Sequence, residues 1–218
     1  GGKIYDARAN MPWPGKAAVI VSLVHFAFGR VSDTISSATL DGRKVAAIDS
    51  RLTARPERPE ATALGHNANL AFMGGKLVGA GLAVPLAEHA ALVRADASNA
   101  VILRPYLGGE ELNSNSSGTF ERYVIDFTTK SLDDARRWPM LMRIIEEKVR
   151  PARERDKRGT YKTYWWRPGE SGGALYSALE GKSHCLVAAV VTKHLMFLLR
   201  PTSWFFSQTL YVFSLDGY

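Results

Sequence analysis

Apolar and polar positions along this chain alternate in patterns that predict a mixed α+β protein. Lys16 to Phe28 (KAAVIVSLVHFAF) is apolar almost throughout, the pattern of a strand buried on both faces. Residues 1–15 read as an irregular lead-in with a turn cluster at Met11-Pro12-Trp13-Pro14-Gly15. They offer that strand no neighbours, so it is expected to belong to a larger sheet. Arg43 to Ile48 follows the turn signal Asp41-Gly42 as a short strand, and residues 49–69 form a polar loop. Leu77 to Val84 reads as a strand weakened by Gly79 and Gly81. Pro85 then starts a helix over Leu86 to Ala95, with Leu86, Ala90 and Val93 at helical spacing.

Phe120 to Phe127 alternates as a strand, with Tyr123, Ile125 and Phe127 on one side. Ser131-Leu132-Asp133-Asp134 outlines a capping box. Pro139 fits the first turn of a helix with a Leu141, Ile144, Ile145 and Lys148 stripe, which Pro151 ends or kinks. Ser171 to Leu179 is a short helix. Cys185–Thr192, Leu195–Leu199 and Thr209–Ser214 are strands, the last two separated by a corner at Pro201-Thr202-Ser203-Trp204. The expected fold class is α+β: a mixed, mostly antiparallel twisted sheet with flanking helices and a β-rich C-terminal third.

Charge sharpens this picture in one place. The 218 residues carry a net charge of +7. Between Lys130 and Arg167 stand 12 Lys/Arg against 6 Asp/Glu, so six of the seven excess positive charges lie in this stretch. It closes on Tyr161-Lys162-Thr163-Tyr164-Trp165-Trp166. Basic side chains interleaved with aromatic rings are the footprint of a nucleic-acid surface, and equally of a solvated mixed-charge helix. The single Cys185 excludes an intramolecular disulfide and fits a reducing, cytoplasmic compartment. Apolar runs fall well short of the ~20 residues that cross a bilayer, so no membrane partner is expected. The N-terminus has no apolar signal-peptide core.

Catalytic motifs fare poorly. Gly169-Glu170-Ser171-Gly172-Gly173 resembles the nucleophile loop of trypsin-like serine proteases, but it precedes a helix, where Ser171 reads as an N-cap. Glu146-Glu147-Lys148, with Asp126 or Asp133 as partner, matches half of a restriction-type nuclease site but sits inside a helix as surface charge. The five His and one Cys lack metal-ligand spacing, and His184-Cys185 in a strand point to opposite faces. No G-x-G-x-x-G follows a strand, and neither a P-loop nor an Asn/Asp-Pro-Pro-Tyr/Phe methyltransferase loop is present. No catalytic residue, metal site or cofactor is therefore assigned.

A longer ordered series is more specific. Trp13-Pro14-Gly15-Lys16-Ala17-Ala18-Val19, Arg104-Pro105-Tyr106-Leu107-Gly108-Gly109-Glu110-Glu111-Leu112-Asn113, Arg122-Tyr123-Val124-Ile125-Asp126-Phe127, Glu146-Glu147-Lys148-Val149-Arg150-Pro151, Trp165-Trp166, Val191-Thr192-Lys193-His194 and Phe206-Ser207 occur in that order. Over about residues 11–216 the chain resembles the target-recognition domain of MmeI-like (type IIL) restriction-modification enzymes and their DNA-methyltransferase relatives. The resemblance implies that residues 1–30 are a tail strand of an upstream methyltransferase domain or else a lead-in, and that 31–218 are the domain that recognises double-stranded DNA. It places the S-adenosylmethionine site and the N6-adenine methyltransferase chemistry, with or without a nuclease, in the rest of the same polypeptide. The chain by itself would not be an enzyme.

The same resemblance implies base reading from the segment after the buried C-terminal strand, Lys193, His194 and Met196. Lys193 would meet guanine O6/N7 and His194 a neighbouring base edge, or else Lys193 touches phosphate or solvent while His194 packs. Expected DNA-backbone contacts are Lys76, Arg104, Arg122 and the Asn113–Ser117 loop, through Asn113 and Ser116. Arg122 has an alternative partner in Glu110 or Glu111, and Trp165 and Trp166 are expected in the core. Two other readings remain. One is a stand-alone RNA- or single-strand-binding domain that stacks bases on exposed Tyr and Trp rings. The other is a small hydrolase using Ser171 or Glu147.

Overall fold

The computed structural model describes residues 2–115 and 117–215. The chain divides into two compact units, Gly1–Ala63 and Leu64–Tyr218. Among the described residues no helix is long and apolar enough to cross a membrane.

The first unit is a four-stranded sheet. Strand β1 (Gly2–Pro12) pairs antiparallel with β2 (Ile20–Phe28); a short helix α1 (Arg30–Asp33) leads to β3 (Ala38–Leu40) and β4 (Arg43–Val45). The strand order is β2-β1-β3-β4, with β1 and β3 parallel. The β3–β4 hairpin closes through Asp41 and Gly42, both at positive φ, as the Asp-Gly signal predicts. Two expectations fail here. Residues 2–12 are a strand rather than an irregular lead-in, so β2 has the neighbour it was thought to lack. Nor is β2 buried on both faces: Ile20, Leu23, Phe26 and Phe28 are exposed, because β2 is an edge strand of a small sheet. The packed interior of this unit is small, centred on Ala7, Ala38 and Ile48.

The second unit holds two four-stranded sheets. It starts with β5 (Ala71–Met73), β6 (Ala83–Pro85), α2 (Leu86–Ala95), β7 (Leu103–Leu107), α3 (Gly109–Ser114) and β8 (Arg122–Ile125). Helices α4 (Leu132–Ala135), α5 (Pro139–Lys148), α6 (Arg150–Glu154), α7 (Gly159–Thr163) and α8 (Gly173–Ala178) follow. The chain ends in β9 (His184–Ala189), β10 (Leu198–Pro201), β11 (Phe205–Phe206) and β12 (Leu210–Phe213). One sheet runs β10-β9-β12-β5, antiparallel throughout; the other runs β11-β7-β8-β6, antiparallel except for the parallel β11–β7 pair.

Local chemistry explains most element ends. Ser131 Oγ accepts from Asp134 N–H at 3.0 Å and caps α4. Pro139 opens α5, whose Leu141, Met142 and Ile145 are buried, and α6 begins after Val149 with Pro151 in its first turn. Leu77–Val84 departs from the expected strand. Val78 (φ 32°) and Gly79 (φ 126°) turn the chain into a 3-10 turn at Ala80–Leu82, and only Ala83–Pro85 pairs, with β8. Ser171 is not an N-cap: Gly172, at φ 68°, precedes α8 without a side-chain cap. The expected strand at Leu195–Leu199 pairs only from Leu198, leaving a loop before it.

Two dipeptides join the two cores of this unit. Tyr106-Leu107 of β7 lies parallel to Phe205-Phe206 of β11. Successive residues of a strand face opposite ways. Tyr106 and Phe205 therefore enter a core with α2 and α5, while Leu107 and Phe206 enter one with α3, α8, β9 and β12. Both Phe205 and Phe206 are fully buried. On the other side of β11, Gly75 N–H donates to Phe206 O at 2.8 Å and Gln208 N–H donates to Gly75 O at 2.7 Å. This approach requires glycine: a Cβ on Gly74 would collide with the Phe206 and Ser207 carbonyls, and one on Gly75 would lie 2.6 Å from the Glu170 carbonyl oxygen.

Gly74→Ala should therefore lower stability by about 1–3 kcal/mol, as overpacking against backbone does. Gly173→Ala, where a Cβ meets nothing within 4 Å, should be neutral or stabilising by up to about 1 kcal/mol. Urea unfolding of the two variants checks the contrast; equal effects would rule out the tight crossing.

Candidate nucleic-acid interface

Strand β9 is buried through Cys185, Val187, Ala188 and Ala189, and burial pushes the Cys185 thiol up to about 12, so it packs as an inert apolar group. Beyond β9 the chain leaves the sheet as a loop, residues 190–197. Each end of the loop is held. Val190 N–H donates to Thr209 O at 2.9 Å, and Asn113 Nδ2 of α3 donates to Val191 O at 2.9 Å. At the far end Met196 is half-buried against the second core, and the Phe197 ring meets Phe213 edge-on at 5.5 Å. Between these anchors Thr192 Oγ1 accepts from His194 N–H at 3.2 Å and donates to His194 O at 2.8 Å, folding the tip into a tight turn. Lys193 and His194 stand exposed on that turn, beside Val191 and Leu195, which are 81% and 78% exposed. Among the described residues neither the Lys193 ammonium nor the His194 ring has a hydrogen-bond or ion-pair partner.

The residues expected on the DNA backbone are differently placed. Arg104 is turned inward: Nη1 donates to Asp126 at 2.7 Å, Nε to Ser203 O at 2.8 Å and Nη2 to Trp204 O at 2.7 Å, with the guanidinium 4.5 Å over the Tyr176 ring. It ties β7 to the corner before β11. Tyr176, pushed up to about 12 by burial, completes the knot by donating to Trp204 O and accepting from Phe206 N–H, each at 3.1 Å. Arg122 pairs with Glu111 at 2.7 Å and lies 4.8 Å over Tyr106, the alternative that its sequence neighbours suggested. Glu111 is buried, and the Gly108 N–H also donates to it, at 3.1 Å. Asn113 holds the near end of the loop through its side-chain amide. Lys76 is half-buried, its backbone exchanging hydrogen bonds with Glu170 at 2.7 and 3.0 Å. Ser116 lies outside the described residues. Apart from Asp126, the interior partners of Arg104 stand about a hundred residues away, on backbone carbonyls that carry no sequence signal.

The charge surplus between Lys130 and Arg167 is also resolved. Arg136, Arg137, Arg143, Lys148, Arg150 and Arg158 each face a carboxylate within 4 Å. Lys130, Arg153, Arg155, Lys157, Lys162 and Arg167 have no carboxylate at that distance among the described residues. The unbalanced positive charge therefore centres on α6, α7 and the turn after them. The aromatic rings interleaved with it are mostly interior: Tyr161 and Trp166 are buried and Trp165 is half-buried, while Tyr164 is 44% exposed beneath Arg167. No cluster of three His, Cys, Asp or Glu among the described residues could hold a metal ion. Glu147 is on the surface, paired with Arg143.

No family model matches this chain, and no curated protein matches it. Among solved structures it is similar to one described as the Type IIL restriction-modification enzyme MmeI in complex with DNA, with a TM-score of 0.64 at 12% identity. All of this chain takes part, but it covers 30% of the length of that one. What the two share is the fold. The antiparallel-rich α+β architecture is thus one found within a DNA-bound restriction-modification enzyme.

Arg104→Ala should cost about 3–5 kcal/mol in urea unfolding, the penalty for leaving the largely enclosed Asp126 carboxylate without its ionic partner. A loss below about 1 kcal/mol would instead fit an outward-facing arginine. Asn113→Ala should leave global stability nearly unchanged while speeding hydrogen exchange of residues 191–195; unchanged exchange would show that the Asn113 amide does not hold the loop.

Proposed function

We propose that this chain is a module for sequence-specific recognition of double-stranded DNA within a larger N6-adenine DNA methyltransferase or restriction-modification protein. The observation that carries the reading is the 190–197 loop: two polar side chains, Lys193 and His194, held exposed on a turn anchored at both ends. A loop so braced presents donors at fixed positions, which base-edge recognition needs and which a free loop supplies only at an entropic cost. The unbalanced cations of α6 and α7, and the fold shared with a DNA-bound restriction-modification enzyme, add support.

An adenine inside a duplex is out of reach of a methyltransferase, so the base must be flipped out while other contacts hold the duplex in register. In this reading exposed Lys and Arg side chains hold phosphates, and the loop tip enters the major groove. Lys193 donates to guanine O6/N7, and His194 meets a neighbouring base edge. Met196 serves as an anchor at the loop's base, and Arg104 and Arg122 act inside the fold, not on DNA. Catalysis and S-adenosylmethionine binding belong to the methyltransferase domain of the same polypeptide, acting on DNA in the cytoplasm. The stacking-platform reading needs exposed rings, and Tyr161 and Trp166 are buried.

Lys193→Ala should relax one position of the recognised sequence, at a cost of about 1–3 kcal/mol for the preferred base there. Selection of bound duplexes from a randomised pool measures this. A uniform loss of affinity over all sequences would reduce Lys193 to a phosphate contact and remove the base-reading role of the tip.

A further inference from the structure

A small pocket of about 150 Å³ opens between α6, α7 and the turn that precedes α8, lined by Arg153, Thr160, Tyr161, Tyr164, Arg167 and Ser171 among others. Two guanidinium groups share it. Arg153 is only 2% exposed, yet no carboxylate lies within ion-pair distance of it among the described residues. Its Nε donates to Val78 O at 2.9 Å and its Nη2 to Arg167 O at 3.1 Å, which leaves Nη1 without an acceptor. Arg167 repeats the arrangement: Nε and Nη2 both donate to Lys130 O, at 3.1 and 2.7 Å, and Nη1 has no acceptor among the described residues. Among the described residues the one fully buried side-chain polar atom without a partner is Asn99 Oδ1. The Arg153 Nη1 is therefore not completely sealed from solvent, and Arg153 is one of the residues that line the pocket.

A buried guanidinium with no carboxylate in contact is costly, and backbone carbonyls and the more distant Asp156 charge offset only part of that cost. The rings fix both groups in place: Arg153 lies 4.9 Å over Tyr161, and Arg167 lies 4.9 Å over Tyr164 and 5.2 Å over Trp166. The nearby carboxylate of Glu170 is occupied at the rim, 3.3 Å from the Tyr161 hydroxyl and 3.9 Å from Arg158. The hydroxyls of Thr160 and Ser171 add two donors with no partner among the described residues, whereas Thr128 Oγ1 already donates to Asp126. These two guanidinium Nη1 groups and two hydroxyls around a space of this size match a tetrahedral oxyanion.

We propose that this pocket binds a phosphate group. Resting on the DNA reading above, it seats one backbone phosphate of the bound duplex and so fixes the register of the module on DNA; a free phosphate-bearing molecule offers the same chemistry.

The test is a titration of the whole chain with inorganic phosphate and with dimethyl phosphate at constant ionic strength, read by the change in tryptophan fluorescence, to which Trp166 beside Arg167 contributes. A saturable change that chloride does not reproduce is expected. It should be weakened about tenfold or more by Arg167→Gln, the scale of a lost charge-assisted hydrogen bond. Ser171→Asp, which puts a negative charge at the pocket without touching the buried arginines, should abolish it, with circular dichroism showing both variants folded. If duplex DNA displaces phosphate, and Arg167→Gln lowers the slope of log affinity against log salt by about one, the occupant is a backbone phosphate. If phosphate binds and duplex DNA does not compete, the pocket stands with a free phosphate ligand, and the DNA reading fails separately. No phosphate effect beyond chloride, with duplex binding unaltered in Arg167→Gln, overturns the pocket and leaves the DNA reading standing.

Discussion

The second unit depends on one constraint: two strands too short to be stable alone must lie side by side at the boundary of two cores. Tyr106-Leu107 and Phe205-Phe206 each send one ring or aliphatic group into either core, so neither core closes without the other. The strand β11 is also flanked by Gly75 on its second side, where only a chain without side chains fits. A segment paired on both edges and buried on both faces has no freedom left. Everything attached to it inherits that rigidity, including the Arg104 knot at the preceding corner and the β12–β9 pair that carries the exposed loop.

The distribution of charge follows the same logic. Arginines that would be expected to face a polyanion, Arg104 and Arg122, are used inside the fold, where stacking on Tyr176 and Tyr106 and pairing with Asp126 and Glu111 stabilise strand β7 and its surroundings. The cations left unbalanced are elsewhere, on short helices with little apolar surface of their own. Half of the basic side chains between Lys130 and Arg167 are neutralised by neighbours three or four residues away or by a carboxylate from another element, so net charge by sequence overstates what a ligand meets. What remains is concentrated around Arg153 and Arg167 and in the exposed Arg155, Lys157 and Lys162.

Much of the fold was legible where a signal was local. The helix at Leu86–Ala95, the Ser131 cap, the start of α5 at Pro139 and the Asp41-Gly42 hairpin each depend on residues within one turn of the chain. The α+β class, with antiparallel pairing dominant, followed from the same patterns. Elements that depend on distant partners were illegible. Strand β1 is polar enough to read as irregular and exists through pairing with β2 and β3. Phe205-Phe206 is too short to register as a strand, and its pairing with β7 spans about a hundred residues. In the candidate site, Lys193 and His194 stand exposed, where the sequence had left packing of His194 open, and the inward turn of Arg104 and the half-burial of Met196 were not foreseen. A guanidinium's choice between a phosphate and a backbone carbonyl is decided by the tertiary fold and leaves no mark on the sequence.

The most direct measurement is fluorescence-anisotropy binding of this chain to duplex DNA across several salt concentrations, with single-stranded RNA in parallel. Preference for the duplex, with log affinity falling steeply and linearly against log salt, is the expected result, because unbalanced Lys and Arg would release counterions from the phosphate backbone. Equal or tighter binding to single strands, or no duplex binding at low salt, would contradict recognition of double-stranded DNA by this chain.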